Sequence, residues 1–263
     1  MNNKCLRYAA IACLVISLAV TDSVAGNAPT RLNPPSGTTV FTHIPSRHTG
    51  LSYRLSVYLP PGHDQPQRTF PVIYAMDGDS RFDKLVSVLR QHRINVILVG
   101  VSCVSAERRV IDYTMPGAAK YYQFLTRELI PFIETRYHAR PKQRMLSGHS
   151  LSGEFVLYAL FMEDPNRRYF ASYISSDGSF WYQPNLLTSM EKKMYTRSRR
   201  LSVNLILSGA GNLRYVTSLY NDITRRGYDG LQVKLLTYEG WDHVEMDAPS
   251  FKDGMRFLFK SAG

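Results

Sequence analysis

Ser150 and His243 are the two residues of this sequence whose types and surroundings suit nucleophilic chemistry. Ser150 lies in Ser147-Gly148-His149-Ser150-Leu151-Ser152-Gly153, between an apolar run and a stretch with helical spacing. A serine hydroxyl is a weak nucleophile unless a base stands beside it. It must also be presented, and a sharp strand-to-helix turn does that. Such a turn leaves no room for side chains around the serine, hence the G-x-S-x-G pattern. Gly148 fits the pattern. Ser152 stands where the second glycine belongs and Gly153 follows. Serine is the next smallest polar choice, so the turn is expected to survive.

A base should follow on a loop after the last strand. Gly240-Trp241-Asp242-His243 occupies that place, and His243 is the only histidine after Ser150. His43, His48 and His63 fall in loops, His92 and His138 near helix ends, and His149 beside the turn, so these read as structural. The order in such sites is serine, acid, histidine. The acid usually follows the strand before last, here Leu201 to Leu207, but the loop there is Ser208-Gly209-Ala210-Gly211-Asn212. An amide sits where a carboxylate is expected. The preferred reading is therefore a Ser–His dyad, with Asn212 or a backbone carbonyl holding the ring. A hidden triad is the alternative. Asn212, Asp242 and Glu239 are the candidates for orienting His243; Asp222 and Asp229 lie further off. The developing oxyanion would meet the amide of Leu151 and those of Gly78 and Asp79, in the turn Asp77-Gly78-Asp79-Ser80.

These residues need a scaffold, and the pattern supplies one. Leu51 to Leu59, Pro71 to Met76, Asn95 to Val101, Gln143 to Ser147, Tyr169 to Ile174, Leu201 to Leu207 and Leu231 to Tyr238 read as strands. Several are short uninterrupted apolar runs, as expected of strands buried on both faces. Arg81 to His92, Ala118 to Tyr137, Leu151 to Met162, Leu186 to Thr196, Leu213 to Arg226 and Pro249 to Lys260 have helical spacing. Asn27 to Thr38 reads as an irregular lead-in, and Ser102 to Pro116 as a polar loop. The alternation predicts an α/β fold with a mostly parallel central sheet and helices on both faces; the serine turn set between a strand and a helix of that sheet makes the expected fold the α/β-hydrolase type.

The first 25 residues read as a secretory leader. Lys4 and Arg7 precede an apolar run from Tyr8 to Val20, and Ser23-Val24-Ala25 is a small-x-small cleavage site. The run falls short of the roughly 20 apolar residues a comfortable span needs. Residues 26–263 then form one domain, exported and with no stable membrane span once the leader is removed. Two of the three cysteines go with the leader, leaving Cys103 and no internal disulfide. No Cys or His pairs stand at metal-ligand spacing, and neither metal nor cofactor is expected. The formal net charge is +11. A basic protein attracts anions, but no nucleic-acid motif accompanies the scattered Lys and Arg, so nucleic acid is not expected; an anionic small-molecule ester substrate and an anionic membrane surface fit the charge equally well, beside a merely solvated basic surface.

Taken together, the chain resembles the esterase D / ferric-enterobactin esterase family. Pro71-Val72-Ile73-Tyr74-Ala75-Met76-Asp77-Gly78 is similar to its oxyanion strand and loop, and Arg109-Val110-Ile111-Asp112-Tyr113-Thr114 to its R-x-x-D-Y-T stretch. Phe124-Leu125 through Glu128-Leu129-Ile130-Pro131-Phe132-Ile133-Glu134 looks like its helix before the nucleophile. Ser176-Asp177-Gly178-Ser179-Phe180-Trp181 is similar to its S-x-S-x-W segment, and Asp242-His243 to its base. The resemblance implies a periplasmic esterase that opens the lactone bonds of an enterobactin-type trilactone siderophore. It also implies Arg109 as a substrate contact, with Tyr113 and Trp181 as pocket walls. Two rival readings share the residues: a general carboxylesterase or acyltransferase acting on acetyl or feruloyl-type esters, and a ligand-binding pseudo-hydrolase. Asn212 speaks for the second; intact Ser150 and His243 speak against it.

Overall fold

The computed structural model describes residues 37–260. Eight strands form one sheet: β1 (Thr38–Pro45), β2 (Ser52–Leu59), β3 (Phe70–Met76), β4 (Ile97–Val101), β5 (Ala139–His149), β6 (Ser172–Ser176), β7 (Asn204–Gly209) and β8 (Gln232–Thr237). Their order is β1-β2-β4-β3-β5-β6-β7-β8. β2 runs antiparallel to both neighbours, and every pair from β4 to β8 is parallel. This is the α/β-hydrolase fold. A parallel sheet needs crossovers that cover its faces, and the helices supply them: α1 (Gly78–Gln91), α2 (Ala106–Tyr113), α3 (Gly117–Phe124), α4 (Ile130–Glu134), α5 (Leu151–Met162), α6 (Pro184–Arg197), α7 (Leu213–Arg226) and α8 (Asp247–Lys260).

β3 shows how the two layers arise. All seven of its residues, FPVIYAM, are buried. Val72, Tyr74 and Met76 point to one core with Phe155, Val216 and Leu219 of α5 and α7. Ile73 and Ala75 point to the other with Phe82, Leu85, Phe251 and Met255 of α1 and α8. The period of two thus feeds both faces. α5 is buried from Leu151 to Phe161 and apolar nearly all round, as a helix sealed inside the molecule must be. Each fully buried Leu or Phe there contributes about 1.5–3 kcal/mol. That burial anchors the turn leading into α5.

Three stretches differ from the sequence reading. β1 was not expected: it is an edge strand that forms by pairing with β2, and its polar, half-exposed face with Phe41 outward hides the alternation. The stretch expected as a polar loop over Ser102 to Pro116 contains α2. Ser105 caps it, accepting from Arg108 N at 3.1 Å, and its buried face is made of Asp112 and Tyr113, which lack an apolar signature. The helix expected over Ala118 to Tyr137 is α3 and α4 joined by a π turn over Leu125–Leu129. Pro131, with no N–H to give, sits at the start of α4. No helix among the described residues is long and apolar enough to cross a membrane. The leader expected over residues 1–25 lies outside the described residues.

Candidate active site

The parallel strands deliver their C-terminal ends to one edge of the sheet, where open α/β sheets bind ligands. At that edge three non-glycine residues take positive φ: Asp77 after β3 (58°), Ser150 after β5 (59°) and Asp177 after β6 (42°). Such conformations cost roughly 1–3 kcal/mol each and persist only where the surroundings dictate them. At Ser150 the surroundings are explicit. Its ψ is −121°. Its amide donates to Ser176 O at 2.9 Å and its carbonyl accepts from Ser179 N at 3.0 Å. A Cβ on Gly148 would lie 2.1 Å from Ser152 O, so only glycine closes this turn. Leu151 begins α5, and its amide has no carbonyl a turn earlier to serve. Gly78 and Asp79 stand in the same position at the start of α1. These three amides are the candidates for oxyanion donors.

Ser152, the departure from the glycine pattern, is used. Its hydroxyl donates to Asp77 Oδ2 at 2.7 Å and accepts from His149 N at 2.8 Å, tying α5 to the end of β3. Asp77 collects further donors: Arg109 Nε and Nη2 at 2.7 and 2.9 Å, and Cys103 Sγ at 3.0 Å. Burial pushes the Asp77 carboxyl up, but the bonds from Arg109, Ser152 and Cys103 outweigh it and hold it below its ordinary range. Burial and the facing Asp77 push the Cys103 thiol up, so it stays protonated.

His243 Nδ1 lies 2.5 Å from Asp177 Oδ2. This corrects the expected dyad: a carboxylate does hold the imidazole, and it comes from the end of β6 rather than β7. Asp177 Oδ1 accepts from the amides of Ala210 and Asn212 at 2.8 and 2.9 Å. Burial pushes the Asp177 carboxyl up, yet the bond from His243 and the two amides more than offset it and hold its pKa below the usual value. The hydrogen bond to Asp177 raises the His243 pKa above its ordinary value against the opposing effect of burial. With Nδ1 held, Nε2 is the nitrogen free to exchange a proton. His149 supports the same loop, its Nε2 lying 2.7 Å from His243 O.

The other expected orienting residues take different roles. Asn212 acts one step back: its Nδ2 donates to Asp177 O at 2.8 Å, and its Oδ1 accepts from Trp181 Nε1 at 3.0 Å. Asp242 turns its carboxylate to the amides of Val244 and Glu245, capping its own loop. Glu239 is exposed on the turn after β8. Tyr113, expected as a pocket wall, is 1% exposed; its hydroxyl accepts from Asp77 N at 3.2 Å, so it braces the β3 end from below. Arg109 lines a cleft of about 480 Å³ together with Lys84, Cys103, His149 and Val244, but its Nε and Nη2 are engaged by Asp77. Trp181 is 49% exposed on the loop that carries Asp177, as a lip residue should be. Sequence reasoning missed Asp177 although a signal was there. In the S-x-S-x-W segment the first serine position holds this aspartate, a carboxylate in a run of small polar residues.

A strained serine at a strand-to-helix turn, with an aspartate-held imidazole on the last loop of an α/β-hydrolase sheet, defines a serine hydrolase. The model of the family described as putative esterase matches residues 46–213. The chain belongs to this family and is a carboxylic-ester hydrolase acting on a small-molecule ester. It is 25% identical to ferri-bacillibactin esterase BesA of Bacillus subtilis (strain 168) over 284 aligned positions, covering 92% of this chain and 96% of the relative. An IroE-like serine hydrolase from Shewanella oneidensis superposes with a TM-score of 0.76 at 24% identity, over 85% of this chain and 80% of that one. Siderophore hydrolase EstA of Aspergillus nidulans gives 0.74 at 17% identity, over 86% and 95%.

Proposed function

We propose that this protein is a serine esterase that opens the lactone bonds of an enterobactin-type trilactone siderophore, exported to the periplasm as residues 26–263 after its leader is cleaved. The observation that carries the chemistry is the 2.5 Å contact of His243 Nδ1 with Asp177, at the same sheet edge as Ser150. The carboxylate fixes the tautomer, so that Nε2 accepts the Ser150 proton as Oγ attacks the ester carbonyl. The amides of Leu151, Gly78 and Asp79 receive the oxyanion. His243 then protonates the departing alkoxide, and activates the water that clears the acyl-enzyme. No cofactor takes part in this scheme.

The siderophore assignment draws on the likeness to ferri-bacillibactin esterase. Three features of this chain agree with it. The full chain carries +11, of which Lys4, Arg7 and Asp22 of the leader account for +1, and the strongly basic remainder favours an anionic substrate. Trp181, Tyr182 and Trp241 are half exposed on the loops that carry Asp177 and His243, an aromatic rim suited to aromatic rings. Among the described residues Arg109 bonds Asp77 through Nε and Nη2, which leaves Nη1 for a ligand. Hydrolysis of apo and ferric trilactone beside p-nitrophenyl butyrate, followed by mass spectrometry, tests the assignment. Fast conversion of trilactone to linear products is expected. Turnover of the simple ester alone would leave the serine chemistry standing and remove the siderophore.

A further inference from the structure

Ser179 faces the reacting atom. Its hydroxyl lies 3.2 Å from Ser150 Oγ, and among the described residues that is its one side-chain hydrogen-bond partner. It does not wander there by chance. Ser179 is 4% exposed, its amide donates to Ser150 O at 3.0 Å, and its carbonyl accepts from Tyr182 N at 2.8 Å. The residue is thus pinned on both sides by the turn that also carries Asp177.

Counting protons gives the direction that the bond takes when Ser150 is activated. Asp177 occupies Nδ1 of His243, so the proton of Ser150 Oγ must go to Nε2 when the nucleophile is activated. Oγ has one proton and cannot give it to Ser179 as well. At rest either hydroxyl can donate across the 3.2 Å contact; once the Ser150 proton has passed to His243, Ser179 is the donor and Ser150 Oγ the acceptor. We propose that Ser179 is a further catalytic residue, whose hydroxyl donates to Ser150 Oγ while that oxygen carries charge. This rests on the reading of Ser150 as nucleophile. Charge builds on Oγ twice. The first time is on attack, when the O–H proton passes to His243 and the new bond to the carbonyl carbon is not yet complete. The second is in deacylation, when the bond from carbon to Oγ breaks and the proton returns from His243. In both steps Ser179 keeps its own proton and only strengthens a hydrogen bond already present. A neutral acceptor that becomes charged in the transition state rewards its donor selectively there, which lowers the barrier rather than tightening binding.

The test is the second-order rate of inactivation by a fluorophosphonate across pH 5.5 to 9. The reagent forms a P–O bond to Ser150 Oγ and releases fluoride, so it reads nucleophile reactivity without assuming a natural substrate. Wild type, Ser150→Ala, Ser179→Ala and Ser179→Cys are compared, with thermal unfolding of each. Wild type should label and Ser150→Ala should not. Ser179→Ala should label about tenfold more slowly or less, with the pH midpoint unmoved because the Asp177–His243 pair is intact. Ser179→Cys, a weak donor of similar size, should fall between. On p-nitrophenyl butyrate the same loss should appear in kcat and not in KM. A folded Ser179→Ala that labels at the wild-type rate overturns the inference. So does a slower rate with a shifted midpoint, which would place the effect in the histidine and its carboxylate. Should Ser179→Ala not fold, Ser179→Cys decides alone, a wild-type rate being fatal. If wild type itself does not label, it is the nucleophile assignment that fails, and the inference with it.

Discussion

The strain at Ser150 resides in the backbone of its turn, at φ 59° and ψ −121°, and does not depend on the hydroxyl. Ser150→Ala should therefore abolish turnover of p-nitrophenyl butyrate while moving the thermal midpoint by only a degree or two, about the scale of a ±0.5 kcal/mol change. Asp177 has a different signature. The proposed mechanism needs neutral His243, and Asp177 raises the histidine pKa, so the acid limb of kcat/KM should lie above the ordinary histidine value of about 6.5. Activity should rise as pH climbs through that limb. Asp177→Asn removes the anion that stabilises the imidazolium. It should move the limb to lower pH and lower kcat by about 10²–10⁴. A pH–rate profile of both proteins checks the direction. Ser150 and His243 were legible because each sits in a local pattern that few other residues share. Asp177 was not, since the place examined for an acid was the end of β7. The structure instead uses the β6 end and assigns the β7 loop, through the Ala210 and Asn212 amides, to binding that carboxylate.

Between elements, one buried tie is invisible in the sequence. Arg81 of α1 is 4% exposed and makes a bidentate pair with Asp247 of α8, at 2.8 and 2.9 Å; it also donates to Met76 O and to Ser147 O and Oγ at the ends of β3 and β5. It locks the oxyanion turn, the nucleophile strand and the segment after His243 to one another. Breaking a buried pair by removing one partner costs about 3–5 kcal/mol. Asp247→Ala should lower the thermal midpoint by about 6–20 °C for a chain of this size, measured by calorimetry, with the residual folded protein still labelling at Ser150. The helices and central strands were legible because burial on one or both faces writes a clear period into them. β1 and α2 were not. One is an edge strand with a solvated face, and the other buries polar groups, Asp112 paired with Tyr53 and Arg108, where a period of apolar residues would have announced it.

For the whole molecule, charge and site act on different rate constants. A net charge of +11 draws an anionic ester in from a distance, and salt screens that attraction within about 10 Å at 0.1 M ionic strength. Raising salt from 20 to 300 mM should lower kcat/KM for an anionic ester several-fold, leave kcat unchanged, and spare a neutral ester such as p-nitrophenyl butyrate. Equal salt effects on both substrates would remove steering from the account. The sheet as a whole explains why residues as far apart as 77, 150, 177 and 243 converge: five crossovers between β3 and β8 return the chain to one edge, where β3, β5, β6 and β8 end. The most direct test of the ester-cleaving triad is turnover of p-nitrophenyl butyrate by wild type, Ser150→Ala and Asp177→Asn at the wild-type pH optimum. The account predicts no turnover for the first variant and a kcat about 10²–10⁴-fold below wild type for the second. A folded Asp177→Asn with undiminished kcat, or an active Ser150→Ala, would contradict it.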